Sequence, residues 1–385
     1  MKRVLWISDA VTPTGFARVS HSIIKYLSGR KWNIHHLGIN YYGDPHNFKH
    51  KIYPATIKGD IYGINRLPDF ADSKIDLIFI LNDAWIAAQY LKVIKLKFNP
   101  IPRIVVYFPV DGFAFDESWF KDFDIVSQTV VYTDFGYKVV KDIRPDIEPE
   151  IIPHGMDTEA FYPLPQGKED VKKRVYGDNY QEDSFIILNA NRNQPRKRLD
   201  ISLEGFALFA LDKPENVKYY HHGGVSDAGW NILKLAHRFG VDGRLIITNL
   251  DASVQRVPDA KLNYIYNATD IGLNTSLGEG WGLPNTEHAA TGAPQIVSNN
   301  SASRELFEDC GLLIPISQYL TFERTLIVGS LVRPEDVADR LNLLYYNKEL
   351  FNTLSEKCYQ KFTSEKYSWK TIASQWETLF EKLCQ

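Results

Sequence analysis

The sequence predicts an α/β protein of two domains, each built on a doubly wound parallel sheet, and three observations carry that expectation. A chain of 385 residues exceeds the size at which a single hydrophobic core keeps growing, so two cores are expected. Short apolar runs alternate with helical patterns in both halves, the rhythm of parallel strands joined by helical crossovers. The amino-terminal half opens on such a unit: an apolar strand from Arg3 to Ile7, a loop from Asp9 to Gly15, and a helix with Val19, Ile23, Ile24 and Leu27 on one face.

The later elements follow in order. Lys74 to Leu81 and Arg103 to Phe108 read as strands whose carboxyl ends carry Asn82-Asp83 and Pro109-Val110-Asp111-Gly112. Ligands of open parallel sheets collect at such ends. Asp111 is therefore a candidate for orienting or deprotonating a substrate hydroxyl, since a carboxylate accepts that proton. A Gly155-Met156-Asp157 turn, Pro163 and the polar run Gln166 to Asp183 read as a hinge, dividing residues 1–162 from 163–364. Beyond it the strands are Phe185 to Leu188, Asn216 to His222, Arg244 to Asn249 and Asp270 to Thr275. The helices between them run from Ile201 to Leu208, from about Ala228 to Phe239, and through Leu262 to Tyr266.

Composition excludes several classes. A net charge of -3 gives no general attraction to nucleic acid or anionic lipid, so nucleic acid is not an expected partner. Three cysteines, Cys310, Cys358 and Cys384, have no metal-like spacing, and an odd number without CxxC points to a reducing, cytoplasmic compartment. The apolar start stops at Ser8-Asp9, unlike a secretion signal, and Leu77 to Leu81 is far too short to span a bilayer. Leu91 to Phe98, with Lys92, Lys95 and Lys97, is basic and apolar. It reads either as an ordinary helix with lysines outward or as a contact to a membrane surface.

The chemistry concentrates in Gly278-Glu279-Gly280-Trp281-Gly282-Leu283-Pro284-Asn285-Thr286-Glu287. Two glycines and a proline between the carboxylates forbid one uninterrupted helix. Glu279 is then on a loop, and Pro284 opens a short helix, closed by Gly292 and Pro294, with Glu287 in its first turn. Loop glycines admit a ligand to the backbone, and free N–H groups at a helix start favour anions. Gly280, Trp281, Gly282 and Leu283, flanked by Glu279 and Glu287, are thus suited to a pyrophosphate and its sugar. Upstream, Asn191-Arg192-Asn193-Gln194-Pro195-Arg196-Lys197-Arg198 follows an apolar strand. A guanidinium grips two phosphate oxygens and an ammonium adds a compact charge.

These motifs, in this order, resemble the family 4 retaining glycosyltransferases of the GT-B fold, where a Glu-x7-Glu motif follows a strand of the carboxyl-terminal domain. The resemblance covers nearly the whole chain. It implies two Rossmann-like domains facing a central cleft. Tyr367 to Trp376 is similar to the family's last helix, which returns to the amino-terminal, acceptor-side domain, giving 1–162 plus 365–385 against a nucleotide-sugar-binding 163–364. Glu279 matches the carboxylate near the transferred sugar, Glu287 the one on the ribose, and Arg192 with Lys197 the diphosphate clamp. Gly15 matches the loop that reaches the donor phosphates, and Asn249 and Leu250 lie where the base is held.

The implied activity is metal-independent, retaining transfer of a sugar from a nucleotide-diphosphate sugar to an acceptor hydroxyl of a glycan or lipid, with no cofactor. The chain departs from the family at Asn191 and Arg198, where glycines are usual, and at Pro109 and Asp111, where a histidine is common. Asp122-Phe123-Asp124 has the form of a metal-binding DxD but is expected to be structural. His154, His221, His222 and His288 are expected to be packed rather than catalytic. Two other readings stay open: a GT-B isomerase of the 2-epimerase kind, which needs no acceptor, and a non-catalytic module that binds sugar nucleotides.

Overall fold

The computed structural model describes residues 1–27, 31–250 and 257–385. They form two units, Met1–Gly155 with Glu365–Gln385, and Met156–Ser364. In the first unit the elements are β1 (Lys2–Asp9), α1 (Gly15–Leu27), β2 (Trp32–Ile39), β3 (Lys51–Pro54), β4 (Leu77–Leu81), α2 (Ala84–Lys97), β5 (Arg103–Phe108), β6 (Gln128–Val131), α3 (Asp134–Ile143) and β7 (Glu150–Ile151). The seven strands are parallel in the order β3-β2-β1-β4-β5-β6-β7. Continuous apolar runs suit strands covered on both faces, and all of Leu77 to Leu81 is buried. The order reverses at β1 and β4, so the ends bearing Asp9 and Asn82 lie side by side.

The carboxyl-terminal helix belongs to this unit. Trp376 meets Phe79 and Tyr107 edge-on at 5.1 and 4.7 Å, and Phe380 meets Trp32 at 5.5 Å. Such aromatic pairs add about 0.5–1.5 kcal/mol beyond the area they bury. His154 is buried 4.2 Å from the Tyr132 ring. Burial holds its imidazole near pKa 3, which makes it a packed neutral group.

The Asp122-Phe123-Asp124 motif sits at a short 3-10 turn, Phe123–Ile125, followed by the strand Gln128–Val131. Lys95 Nζ, on α2, donates to Asp122 Oδ1 at 3.1 Å and to Asp124 Oδ1 at 2.9 Å. The aspartates thus clamp α2 to this turn. Changing both to asparagine is expected to leave catalytic turnover and its response to EDTA unchanged; a loss of turnover restored by added Mn²⁺ would reveal a metal role. On α2, Leu91 and Ile94 are buried, as is Phe98 just beyond it, while Lys92, Lys95, Leu96 and Lys97 face outward. Among the described residues no helix is long and apolar enough to cross a membrane.

The second unit contains α4 (Lys168–Tyr176), β8 (Phe185–Asn189), α5 (Leu199–Ala210), β9 (Val217–His221), α6 (Ile232–Arg238), β10 (Leu245–Ile247), α7 (Asp259–Asn267), β11 (Ile271–Asn274), α8 (Leu283–Ala290), β12 (Gln295–Ser298), α9 (Ser301–Phe307), β13 (Leu312–Ile314), β14 (Gln318–Thr321), β15 (Val328–Leu331), α10 (Pro334–Tyr346) and α11 (Lys348–Phe362). The remaining helix, α12 (Trp369–Leu383), is the one in the first unit. Six parallel strands run β10-β9-β8-β11-β12-β13, and β14 and β15 form an antiparallel hairpin. The core centres on Leu199, Leu203 and Phe206 of α5, with Val337 and Leu341 of α10.

The helix expected from about Ala228 begins only at Ile232. Asn231 caps it, accepting from Lys234 N at 3.0 Å, and Gly229-Trp230 stay in the loop because their backbone is already bonded to Asn193. The sheet order reverses at β8 and β11, so the segments after Asn189 and Asn274 leave neighbouring strand ends. Both sequence motifs of the carboxyl-terminal half start there.

Candidate functional site

The two motif segments are stitched together by polar bonds. Leu277 N donates to Arg196 O at 2.8 Å, Thr275 Oγ1 to Arg198 O at 2.8 Å, and Arg196 Nη1 to Gly278 O at 2.9 Å. Below them Asn189 Nδ2 donates to Ser202 Oγ, which bonds Thr275 Oγ1 at 2.7 Å. Arg198, where the resembled family has glycine, lies at φ 48 and ψ 49. That left-handed conformation is the one glycine adopts freely, so the turn survives the substitution. The Arg198 guanidinium reaches Asp200 twice, at 3.0 and 2.6 Å. Asn191 is buried and donates to Asn189 Oδ1 at 3.0 Å.

Glu279 is the electrostatic centre of this unit. Its Oε1 accepts from Lys197 Nζ, from Asn274 Nδ2 at 3.0 Å and from Ser276 Oγ at 2.7 Å. Its Oε2 lies 3.6 Å from Arg196 Nη1. Burial pushes its carboxyl up, but the charges of Lys197 and Arg196 and the bonds from Lys197 and Asn274 outweigh this and hold it at about 2. Glu279 is therefore a fixed anion at neutral pH and not a proton carrier. Its own N–H donates to Ser301 Oγ at 2.9 Å, and Ser301 sits at φ 40. A left-handed non-glycine residue stores about 1–3 kcal/mol of strain, held only where surroundings enforce it. Asn300 enforces it here, donating to Ser276 O and Leu277 O at 3.1 Å each.

Downstream, Gly280 and Trp281 are buried and lead into α8, whose cap Gly282 has φ 91. α8 starts at Leu283, one residue before Pro284. Glu287 is buried and its Oε2 accepts from Tyr266 Oη at 2.9 Å. Asn285 Oδ1 accepts from Asn274 Nδ2 at 2.8 Å, which ties α8 to the residue holding Glu279. Asn249 and Leu250 are exposed just beyond β10. The preceding Thr248 Oγ1 bonds His222 Nδ1 at 2.7 Å and Tyr220 Oη at 3.1 Å. Burial lowers His222 to about 4, so it is neutral.

Arg192 and Lys197 do not share a partner. Lys197 is buried against Glu279, whereas Arg192 is half exposed and paired with Asp227, Nε to Oδ2 at 2.7 Å. In the first unit, Gly15 begins α1 after a loop in which Thr14 Oγ1 donates to Asp9 Oδ2 at 2.5 Å and Asn40 Nδ2 to Asp9 Oδ1 at 3.1 Å. Asp111 lies three residues beyond β5. Burial first, then the charges of Asp83 and Asp111, raise the pKa of the Tyr132 phenol, one residue beyond β6.

Sequence reasoning did not single out Asn274, Ser276, Arg196, Ser301 or Asp227. An isolated polar side chain carries no signal of which carboxylate it will meet, so only the fold reveals them. Among the described residues, no cluster of three or more His, Cys, Asp or Glu is arranged to hold a metal.

No family model matches the chain. Mannosylfructose-phosphate synthase of Agrobacterium fabrum is 24% identical over 262 residues, 66% of this chain and 51% of that protein. The chain thus spans about half the length of that curated relative. Sucrose-phosphate synthase from Thermosynechococcus elongatus superposes with a TM-score of 0.78 at 16% identity, covering 100% of this chain and 99% of that one. HepE of Anabaena, in complex with UDP and glucose, gives 0.74 at 14% identity, covering 99% and 100%. WaaG, a glycosyltransferase involved in lipopolysaccharide biosynthesis, gives 0.67 at 14% identity, covering 98% and 99%. With its two parallel-sheet units, the chain has the GT-B fold of these structures.

Proposed function

We propose that the protein is a metal-independent, retaining glycosyltransferase that moves a sugar from a nucleotide-diphosphate sugar to an acceptor hydroxyl. The observation that carries this is the buried Lys197–Glu279 pair beside Arg196, on the loop that opens α8. Breaking the anomeric C–O bond makes the sugar oxocarbenium-like and loads negative charge on the diphosphate. Arg192, Lys197 and the backbone N–H groups from Gly280 to Leu283 meet that charge with fixed positive potential, so the leaving group needs neither a proton nor a divalent ion. Glu279, ionised throughout, accepts hydrogen bonds from sugar hydroxyls, and Glu287 accepts from the ribose. The family resemblance assigns Asn249 and Leu250 to the base and Gly15 to the phosphates. Asp111 orients the acceptor hydroxyl and takes its proton. HepE, which shares this fold and holds UDP and glucose, and WaaG, a glycosyltransferase of the same fold, support this reading.

The test begins with thermal shifts against a panel of nucleotide sugars, since a bound donor raises Tm by mass action. The stabilising donor is then incubated with hydroxyl acceptors in EDTA. Transfer at the rate seen without chelator, with the donor's anomeric configuration in the product, is the expected outcome. Interconversion of the donor with no acceptor present would favour an isomerase, and tight binding with no turnover on any acceptor would favour a binding module.

A further inference from the structure

We infer that Asp227 is a positioning residue for the donor diphosphate, holding one edge of the Arg192 guanidinium so that the opposite edge faces the phosphate oxygens. This rests on the glycosyltransferase reading above. Arg192 Nε donates to Asp227 Oδ2 at 2.7 Å and Nη2 to Oδ1 at 3.4 Å. A guanidinium has five N–H donors, so this two-point contact leaves both hydrogens of Nη1 and one of Nη2 for a ligand. The Asp227 side chain is 12% exposed and that of Arg192 53%. The carboxylate is the anchored partner and the guanidinium the open one.

The contact is framed by buried structure, which separates it from an ordinary surface pair of negligible worth. Asn193, next to Arg192, has no exposed surface. Its Nδ2 donates to Gly224 O at 2.9 Å and Trp230 O at 2.6 Å, and its Oδ1 accepts from Trp230 N at 3.0 Å. Gly229 N donates to Asn193 O at 3.0 Å. A Cβ at position 229 would overlap Asn193 Oδ1, so only glycine allows this approach. The loop from Gly224 to Trp230, which carries Asp227, and the backbone carrying Arg192 are therefore one frame.

An arginine loses about 2 kcal/mol of rotamer entropy when fixed. Asp227 fixes it before the ligand arrives, so less is lost on binding. The Asp227 charge offsets part of the guanidinium's attraction for a diphosphate, so its contribution to binding is the preorganisation of Arg192.

The test uses the full chain and titration calorimetry with UDP, GDP and ADP, taking forward the diphosphate that the wild type binds. Asp227→Ala and Asp227→Asn are expected to weaken it about tenfold, with Tm and affinity for the matching free nucleoside unchanged. Asp227→Glu is expected to recover part of the loss. In an Arg192→Ala background Asp227→Ala is expected to add nothing, since the two act as one unit. Affinity that stays the same or tightens in Asp227→Ala while Arg192→Ala weakens it would overturn the positioning role alone, as would additive losses. A wild type that binds no nucleoside diphosphate would bring down the glycosyltransferase reading and this inference together.

Discussion

Lys197→Ala is expected to remove sugar transfer and to lower the stability of the second unit by about 3–5 kcal/mol, the range for stripping one member from a buried ion pair. Glu279 is 3% exposed and would keep bonds from Asn274 and Ser276 but lose its principal counter-charge. Transfer should fall by about 10²–10³ or more, as when one preorganised donor of a charge-stabilising site is deleted. Replacing both partners, Lys197→Met with Glu279→Leu, removes the stranded charge and is expected to restore most of the stability while leaving the enzyme inactive. Urea unfolding and donor turnover measured on both variants separate the two effects. A Lys197→Ala protein turning over at the wild-type rate would take this residue out of the site. A double variant as unstable as the single one would show that the loss came from packing rather than charge.

The same pair fixes how the site responds to acid. The folded pKa of Glu279, about 2, lies below the ordinary 4.5. Its stabilisation is fully present above pH 4.5 and is lost as pH falls toward 2. The Lys197–Glu279 pair therefore stays charged across the neutral range.

Acid is nevertheless expected to unfold the protein well above that window, through its histidines. Burial holds His221 and His222 at about 4 and His288 at about 3 in the second unit. In the first unit it holds His154 at about 3 and His36 well below the ordinary value. These groups are neutral when folded and take up a proton near pH 6.5 when unfolded. The unfolded chain thus binds more protons below pH 6.5. The stability they allow is complete above that value and is lost as pH falls toward 4 and 3. By pH 5 His154, His221, His222 and His288 each withdraw about 2 kcal/mol. The three in the second unit together approach the whole stability of a typical domain, about 5–15 kcal/mol.

Urea midpoints followed by circular dichroism from pH 7.5 to 5 should drop steeply below pH 6.5. A curve flat to pH 5 would show that these side chains gain protons without cost. His288 is the informative position, because Thr269 Oγ1 already satisfies its Nε2 at 3.1 Å. His288→Gln should flatten the slope without touching Glu279.

Much of this architecture was legible from the residues. Apolar runs such as Leu77 to Leu81 have one stable place, the middle of a covered sheet, and Pro284 and Gly292 marked the ends of α8 to within two residues. Helix starts were less legible. Ala228 is compatible with a helix by propensity, but Asn193 takes the backbone of Gly229 and Trp230 for its own bonds and delays α6 to Ile232.

By itself the sequence determined the two α/β units, the loop and helix that carry Glu279 and Glu287, and the basic segment holding Arg192 and Lys197. These follow from periodicity and backbone rules that act over a few residues. Tertiary structure alone decided that Lys197 turns inward to Glu279 while Arg192 turns to Asp227, that Arg198 can occupy a glycine conformation, and that Ser301 braces the acidic loop. Pairings between charges 35 and 82 positions apart depend on which strand ends the sheet order sets side by side, and no local pattern encodes that.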